Sequence, residues 1–401
     1  MTISDYQVLQ RGTDGKAHIT LENGETIELT SGGPYEVGGA KNVLVGDLWV
    51  LAGQSNMEGV ANLQDTEAPH PMVHSFQSRE QWAVAEEPLH WLNESPRPIH
   101  HTIWGLPMPE TIAPRDSSRL KGAGLGLTFA KTLAEATGVP IGLIPAAHGG
   151  TSMQQWEPSR KGMGGGSLYG ATLARVQAVG GKVAGILWYQ GESDANPDDA
   201  PRYQQRMTEL VASFRSDLGQ PDLPFFLVQL GGFVTDPDPG LVTSWNSVRE
   251  SQRLWPATIP NVAVVSAIDL GLDDGIHIDT DGLKTLGRRL AATALGQQAL
   301  ALKSVTYNAA IHEIHIAFDH VQSALTASGR PNGFSLRDAD GIETALIYKT
   351  VLNGSTAVLK LNEGPSPLGL HLWYGYGLYP YCNITDTSGA SIPAFGPVPV
   401  E

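Results

Sequence analysis

Polar and apolar positions follow three textures along the chain. Residues 1–45 alternate, in short stretches such as "KAHITLENGETIEL" and "SGGPYEVGGAKN" separated by glycine-rich turns. That period of two predicts short β segments. Residues 46–300 carry near-continuous apolar runs at 48–52, 139–147, 183–190, 223–230 and 261–270. Such runs suit strands covered on both faces. Between them lie helical patterns: "LGLTFAKTLAEATG", ending on a C-cap candidate Gly138, then "YQQRMTELVASFRSDLG" and "DGLKTLGRRLAATALGQQAL". Strand alternating with helix predicts an α/β region with a parallel sheet between helices. Residues 61–120 interrupt it with little periodicity and many Pro, His and Trp, which predicts an irregular insertion near the site. From 301 to 401 the texture is β again, which predicts a C-terminal β domain. The N-terminal segment 1–45 is a candidate to pair with it.

Composition narrows this picture. A chain of 401 residues with 41% hydrophobic and 17% charged residues can build a substantial core. The formal charge of −15 speaks against nucleic acid and against an anionic membrane surface as partners. The single cysteine, Cys382, rules out an intramolecular disulfide framework. No apolar run approaches the ~20 residues of a membrane-spanning helix. No basic-then-apolar leader is visible at the start. The expectation is a cytoplasmic protein if the sequence is complete, and a periplasmic or secreted one if a leader has been removed.

Four strand ends deliver candidate chemistry. The run "NVLVGDLWVLA" ends in "GQSNMEG", which puts Ser55 beyond the carboxyl end of a strand, where sites of open α/β sheets lie. Ser55 is either a nucleophile or an N-cap, and on this stretch alone the cap is the commoner role. "DDGIHIDTDG" follows the last strand and sets Asp274 three residues before His277. A base for a serine needs a carboxylate to orient it, and this loop supplies both. A solvated surface loop is the alternative. "PAAHGGTSMQQW" offers Gly149 and Gly150, whose backbone approaches a ligand closely, and "LWYQGESD" offers the neutral donor Gln190. A tight turn and a structural amide are their bland readings.

Taken together, G-Q-S-N-M, G-G-T-S, W-Y-Q-G-E-S-D and D-G-I-H with the following L-G-R-R-L-A resemble the SGNH hydrolase superfamily. More narrowly, residues 42–297 resemble the sialate O-acetylesterase-like carbohydrate esterases, including the acetyl xylan esterases of carbohydrate esterase family six. The resemblance implies a three-layer α/β/α domain with a flavodoxin-like parallel sheet. It makes Ser55 the nucleophile, His277 the general base and Asp274 its partner. The Ser55 N–H, the Gly150 N–H and the Gln190 side chain become oxyanion donors. It implies removal of O-acetyl groups from a carbohydrate, with no cofactor and no metal. An esterase for another acyl group and an inactive carbohydrate-binding homologue are the alternatives.

Other residues are candidates for substrate contact through their place beside these motifs: Gln54, Asn56, His148, Thr151 and Glu192. Trp104, Trp156 and Trp188 are candidates to stack on a sugar ring, against the commoner fate of tryptophan in a core. His100 and His101 read as loop features. "HEIHIAFDH" (312–320) lacks the helical spacing of a zinc site, and its alternation predicts an exposed strand edge. Cys382 reads as a buried structural residue.

Overall fold

The computed structural model describes residues 3–21, 24–111, 116 and 118–400. Its centre is a sheet of strands β1 (Ala40–Gly53), β2 (Val73–Phe76), β3 (Trp82–Val84), β4 (Ile141–Pro145), β5 (Gly185–Tyr189), β6 (Phe225–Gln229) and β7 (Val262–Ser266), in the spatial order β7-β6-β5-β1-β4-β2-β3. All neighbours are parallel except β2 and β3, which form an antiparallel edge. The five apolar runs of the middle region supply β1, β4, β5, β6 and β7 in the expected flavodoxin-like order. The residues of β4 and β5 are all buried, as continuous apolar strands require.

Helices α1 (Ser55–Glu58), α2 (Gly126–Thr137), α3 (Leu168–Ala178), α4 (Tyr203–Asp217), α5 (Pro239–Thr258) and α6 (Thr280–Ala294) accompany the sheet. Helices α2 and α6 pack on each other, as do α4 and α5. Gly138 ends α2 in the left-handed conformation, φ 70°, as its place in the pattern predicts.

Two expectations about organisation are corrected. The insertion 61–120 is not wholly irregular, because it supplies β2 and β3 and extends the sheet by two strands. The N-terminal segment pairs with β1 and not with the C-terminal domain. Strand Val8–Gln10 runs parallel to β1 at Leu44–Gly46, and Gly32–Val37 runs antiparallel to it. Among the described residues no strand pairing joins this segment to residues 301–400. A boundary at 45 falls inside a 14-residue strand whose first half serves the N-terminal segment and whose second half serves the main sheet. Leu9, Ile19, Val43 and Val45 form a small core of their own there.

Residues 301–400 fold into β structure over one apolar cluster that includes Ile314, Phe318, Leu359, Tyr374 and Phe395. A four-stranded antiparallel sheet runs in the order Ala301–Asn308, Glu313–Asp319, Thr356–Leu361, Ile347–Asn353. The strand Glu313–Asp319 is therefore an inner strand, not the exposed edge expected of "HEIHIAFDH": it is paired on both sides, and Ile314, Ile316 and Phe318 point into the core. Cys382 is buried in this cluster, and burial pushes its thiol up to about 12. No helix among the described residues is long and apolar enough to cross a membrane.

Candidate active site

The carboxyl ends of β1, β4 and β5 lie level, with Leu51 beside Pro145 and Gly53 beside Tyr189. The chain leaves β1 for one side of the sheet and later returns to the other. Ser55 thus sits at the switch point, where adjacent loops diverge and leave a crevice. Gly53 has φ 129°, and a Cβ there would stand 2.1 Å from the Tyr189 carbonyl oxygen. Only glycine lets β1 turn this tightly against β5 and lift the serine onto α1.

Ser55 Oγ is 3.0 Å from His277 Nε2, and His277 Nδ1 is 2.7 Å from Asp274 Oδ2. Asp274 Oδ1 accepts the backbone N–H groups of Ile276 and His277, both at 2.9 Å. Burial raises the Asp274 carboxyl, but the hydrogen bonds from the His277 ring and these two backbone groups outweigh it and bring it down to about 2. Asp274 is therefore a carboxylate at neutral pH and fixes Nδ1 of His277 as the protonated nitrogen. Nε2 is left as an acceptor facing the serine hydroxyl. Exposure falls along the line, from 43% for the Asp274 side chain and 23% for His277 to 9% for Ser55. The base is reachable by water and the serine is sheltered.

Asn56 joins the serine turn to the histidine loop. Its Oδ1 accepts Ile278 N–H at 3.0 Å, and its Nδ2 donates to Glu192 Oε1 at 2.7 Å. Burial pushes the Glu192 carboxyl up. Glu58, one helical turn after Ser55, holds the glycine turn: its Oε2 accepts the Gly149 N–H at 2.7 Å. Gly149 packs so closely on the serine that an added Cβ would lie 3.4 Å from Ser55 Cβ. Among the described residues, the backbone N–H groups of Ser55 and Gly150 have no acceptor within the protein. Glu58 was missed by sequence reasoning although it lies in the same short stretch as Ser55. Its position three residues on, facing the serine's side of α1, was the available signal.

Gln190 is placed differently from expectation. It is fully buried, and its Nε2 lies 2.6 Å from Asp194 Oδ2, 3.1 Å from the Thr151 carbonyl and 3.2 Å from Gln54 Oε1. An amide nitrogen has two protons, so both are engaged within the protein. In this arrangement Gln190 ties the loops after β1, β4 and β5 together and has no proton free for an oxyanion. Asp194 is the hub of that network, also receiving Met153 N–H at 2.8 Å, and burial pushes its carboxyl up to about 6. It too was missed, although it stands four residues after Gln190. Gln54 and Thr151 belong to the same buried network rather than to an open surface.

The aromatic candidates separate. Trp156 and Trp188 are fully buried and meet edge to face at 5.1 Å, so neither offers a ring face to a sugar, which corrects their expected role. Trp156 Nε1 donates to Thr151 Oγ1 at 3.0 Å and braces the glycine turn from below. Trp104 is 58% exposed, and its ring lies 3.3 Å from where a Cβ on Gly150 would stand. His148 is buried, and His100 from the insertion stacks on it at 5.3 Å with the two Nδ1 atoms 3.0 Å apart. His100 is thus more than a loop feature. Burial pushes His148 down to about 4, and burial together with His148 pushes His100 well below its ordinary value. Both rings are neutral at pH 7, so this wall offers no positive charge.

Comparison with known proteins gives the family and the fold. A family model described as carbohydrate esterase, sialic acid-specific acetylesterase, matches residues 45–296, the span from β1 to just past α6. A probable carbohydrate esterase of Arabidopsis thaliana is 29% identical over 274 residues, 62% of this chain and 90% of the relative. The human sialate O-acetylesterase is 24% identical over 350 residues, covering 76% of this chain and 66% of the relative. The crystal structure of a carbohydrate acetylesterase from Xanthomonas citri superposes with a TM-score of 0.71 at 23% identity, covering 98% of this chain and 97% of that one. That superposition shows a shared fold that includes both flanking β regions. With a strand-end serine, its histidine and the family match on one crevice, this chain belongs to the carbohydrate esterase family of sialic acid-specific acetylesterases.

Proposed function

We infer that this protein removes O-acetyl groups from a carbohydrate by serine catalysis through an acetyl-enzyme. The observation that carries the reading is the line Ser55–His277–Asp274, with contacts of 3.0 and 2.7 Å. His277 Nε2 takes the Ser55 proton as Oγ attacks the acetyl carbonyl carbon. The carbonyl oxygen becomes an oxyanion, for which the two uncommitted donors beside the serine, the N–H groups of Ser55 and Gly150, are the receptors. The carbon–oxygen bond to the sugar breaks, and the sugar oxygen leaves with the proton from His277. Water then gives its proton to Nε2 and attacks the acetyl carbon, and acetate departs as Oγ recovers its proton. Trp104, exposed over Gly150, is the ring placed to stack on the sugar that bears the acetyl group.

The test is acetate release from 4-nitrophenyl acetate, acetylated xylan and O-acetylated sialic acid, with Ser55→Ala as control. The expected result is release from the aryl ester and from at least one acetylated carbohydrate, lost by roughly 10³-fold or more in the variant. Equal rates for wild type and variant on every substrate would sink the reading.

A further inference from the structure

A second cleft, of about 500 Å³, lies between α5, inside the family match, and the C-terminal β domain, beyond its end at residue 296. Its volume is in the range of small-molecule sites. One wall is aromatic. Trp373 lies flat on Gly396, where an added Cβ would stand 2.4 Å from the indole, and its remaining surface borders the cleft. Tyr376 meets it edge to face at 5.0 Å and is held in place by the Arg337 guanidinium, 3.6 Å from the ring centroid. The other wall is a face of α5. Thr243, Ser247 and Ser251 recur every four residues there, so their hydroxyls form one line along the helix. Asn246 stands behind this wall. It is 5% exposed, its Oδ1 accepts the Gly377 N–H at 3.0 Å, and its Nδ2 has no acceptor in the protein. A buried donor left without an acceptor is costly.

We propose that this cleft binds a neutral saccharide unit of a polysaccharide. An aromatic wall beside a line of hydroxyls suits a molecule with apolar C–H faces and an equatorial rim of hydroxyl groups. Neutrality follows from charge. The cleft is bordered by Asp338, Asp340, Glu250 and His371; Arg253 pairs with Glu250 at the cleft itself, and Arg337, behind Tyr376, pairs with Glu343. An acidic sugar would meet the carboxylates of Asp338 and Asp340, which no cation among the described residues pairs. The site is separate from the serine crevice, and the proposal holds or fails independently of the esterase reading.

The full-length protein is run through native gels containing unacetylated xylan, mannan, β-glucan or polygalacturonate. Retardation by at least one neutral polysaccharide and none by polygalacturonate is expected. Trp373→Ala should weaken it by about tenfold or more, as loss of a stacked ring implies. Ser247→Arg, on an exposed helix position, should do so by filling the cleft without touching a core residue, which keeps the test valid if Trp373→Ala fails to fold. Aryl-acetate turnover stays at the wild-type level in both. The proposal is overturned if no neutral polysaccharide retards the protein, if polygalacturonate retards it equally, or if folded Ser247→Arg binds as wild type does.

Discussion

In the proposed reading Ser55, His277 and Asp274 carry the chemistry, and two neighbouring side chains decide whether their geometry holds. Asn56 spans the 222 residues of sequence that separate the serine turn from Ile278. Its removal leaves a backbone N–H and a Glu192 oxygen without partners and frees the histidine loop. Asn56→Ala should lower kcat by roughly 10–10²-fold with a smaller change in KM, because the defect is one of alignment. A change confined to KM would show that Asn56 contacts substrate instead. Glu58 has its carboxyl raised to about 7, first by burial, with the Gly149 N–H, Arg119 and His277 opposing. A carboxyl raised on folding binds more protons in the native state than in the unfolded one. Its contribution to stability is therefore present below its unfolded value and lost as pH rises from about 4.5 to about 7. Glu58→Gln should flatten the fall in Tm across that window. Parallel curves for variant and wild type would show that Glu58 is ionised throughout. The line Ser55–His277–Asp274 was legible because each member sits in a short motif at a strand end. Glu58 and Asn56 were not assigned positioning roles, because their partners are 91 and 136 to 222 residues away.

At the scale of elements, the loops after β1, β4 and β5 act as one unit through Gln190 and Asp194. The "WYQGESD" motif marked the loop correctly but not what its glutamine does, since a donor's free protons depend on what surrounds it. Gln190→Ala leaves the Asp194 carboxylate and the Thr151 carbonyl with fewer donors in a dry interior. It should destabilise the protein by about 1–3 kcal/mol in urea unfolding. Full stability with a large loss of kcat would instead make Gln190 an oxyanion donor. The strands of the main sheet were readable as apolar runs. The edge strands β2 and β3 were not, because they are short and lie among prolines and histidines. The helices α3 and α5 passed unremarked for a different reason: each is flanked by glycine- or proline-rich text that hides its period.

For the whole molecule, the joint between the catalytic region and the C-terminal β domain is polar and buried. Arg249 on α5 is 1% exposed and donates to the carbonyls of Leu230 and Gly231 on one side and of Gly375, Gly377 and Leu378 on the other. Burial pushes it down to about 9, so it remains charged at neutral pH, solvated by backbone dipoles. Gln229 adds a reciprocal pair with Ala394. Phe233 and Val234 then link Leu378 to Gly275 beside the triad, through hydrogen bonds of 2.9 and 2.7 Å. Arg249→Met should cost on the order of 3 kcal/mol or more and split a single calorimetric transition into two as the C-terminal domain undocks. One unsplit transition at the wild-type Tm would show that the apolar contacts alone hold the domains together.

The sequence by itself determined the alternation of strand and helix, the position of the serine at a strand end, and the Asp274–His277 pair. These are set by local period and by motifs whose members lie within a few residues of one another. Tertiary structure alone decided where the N-terminal strands pair, which tryptophan is exposed, and which donors beside the serine stay free. Each of those depends on what a residue meets after the chain has closed. Trp104 and Trp156 look alike in the chain, yet one lies over Gly150 in solvent and the other supports the same turn from the core. Burial and hydrogen-bond commitment are properties of the packed molecule, and they separated a donor available to substrate from one the protein had already used.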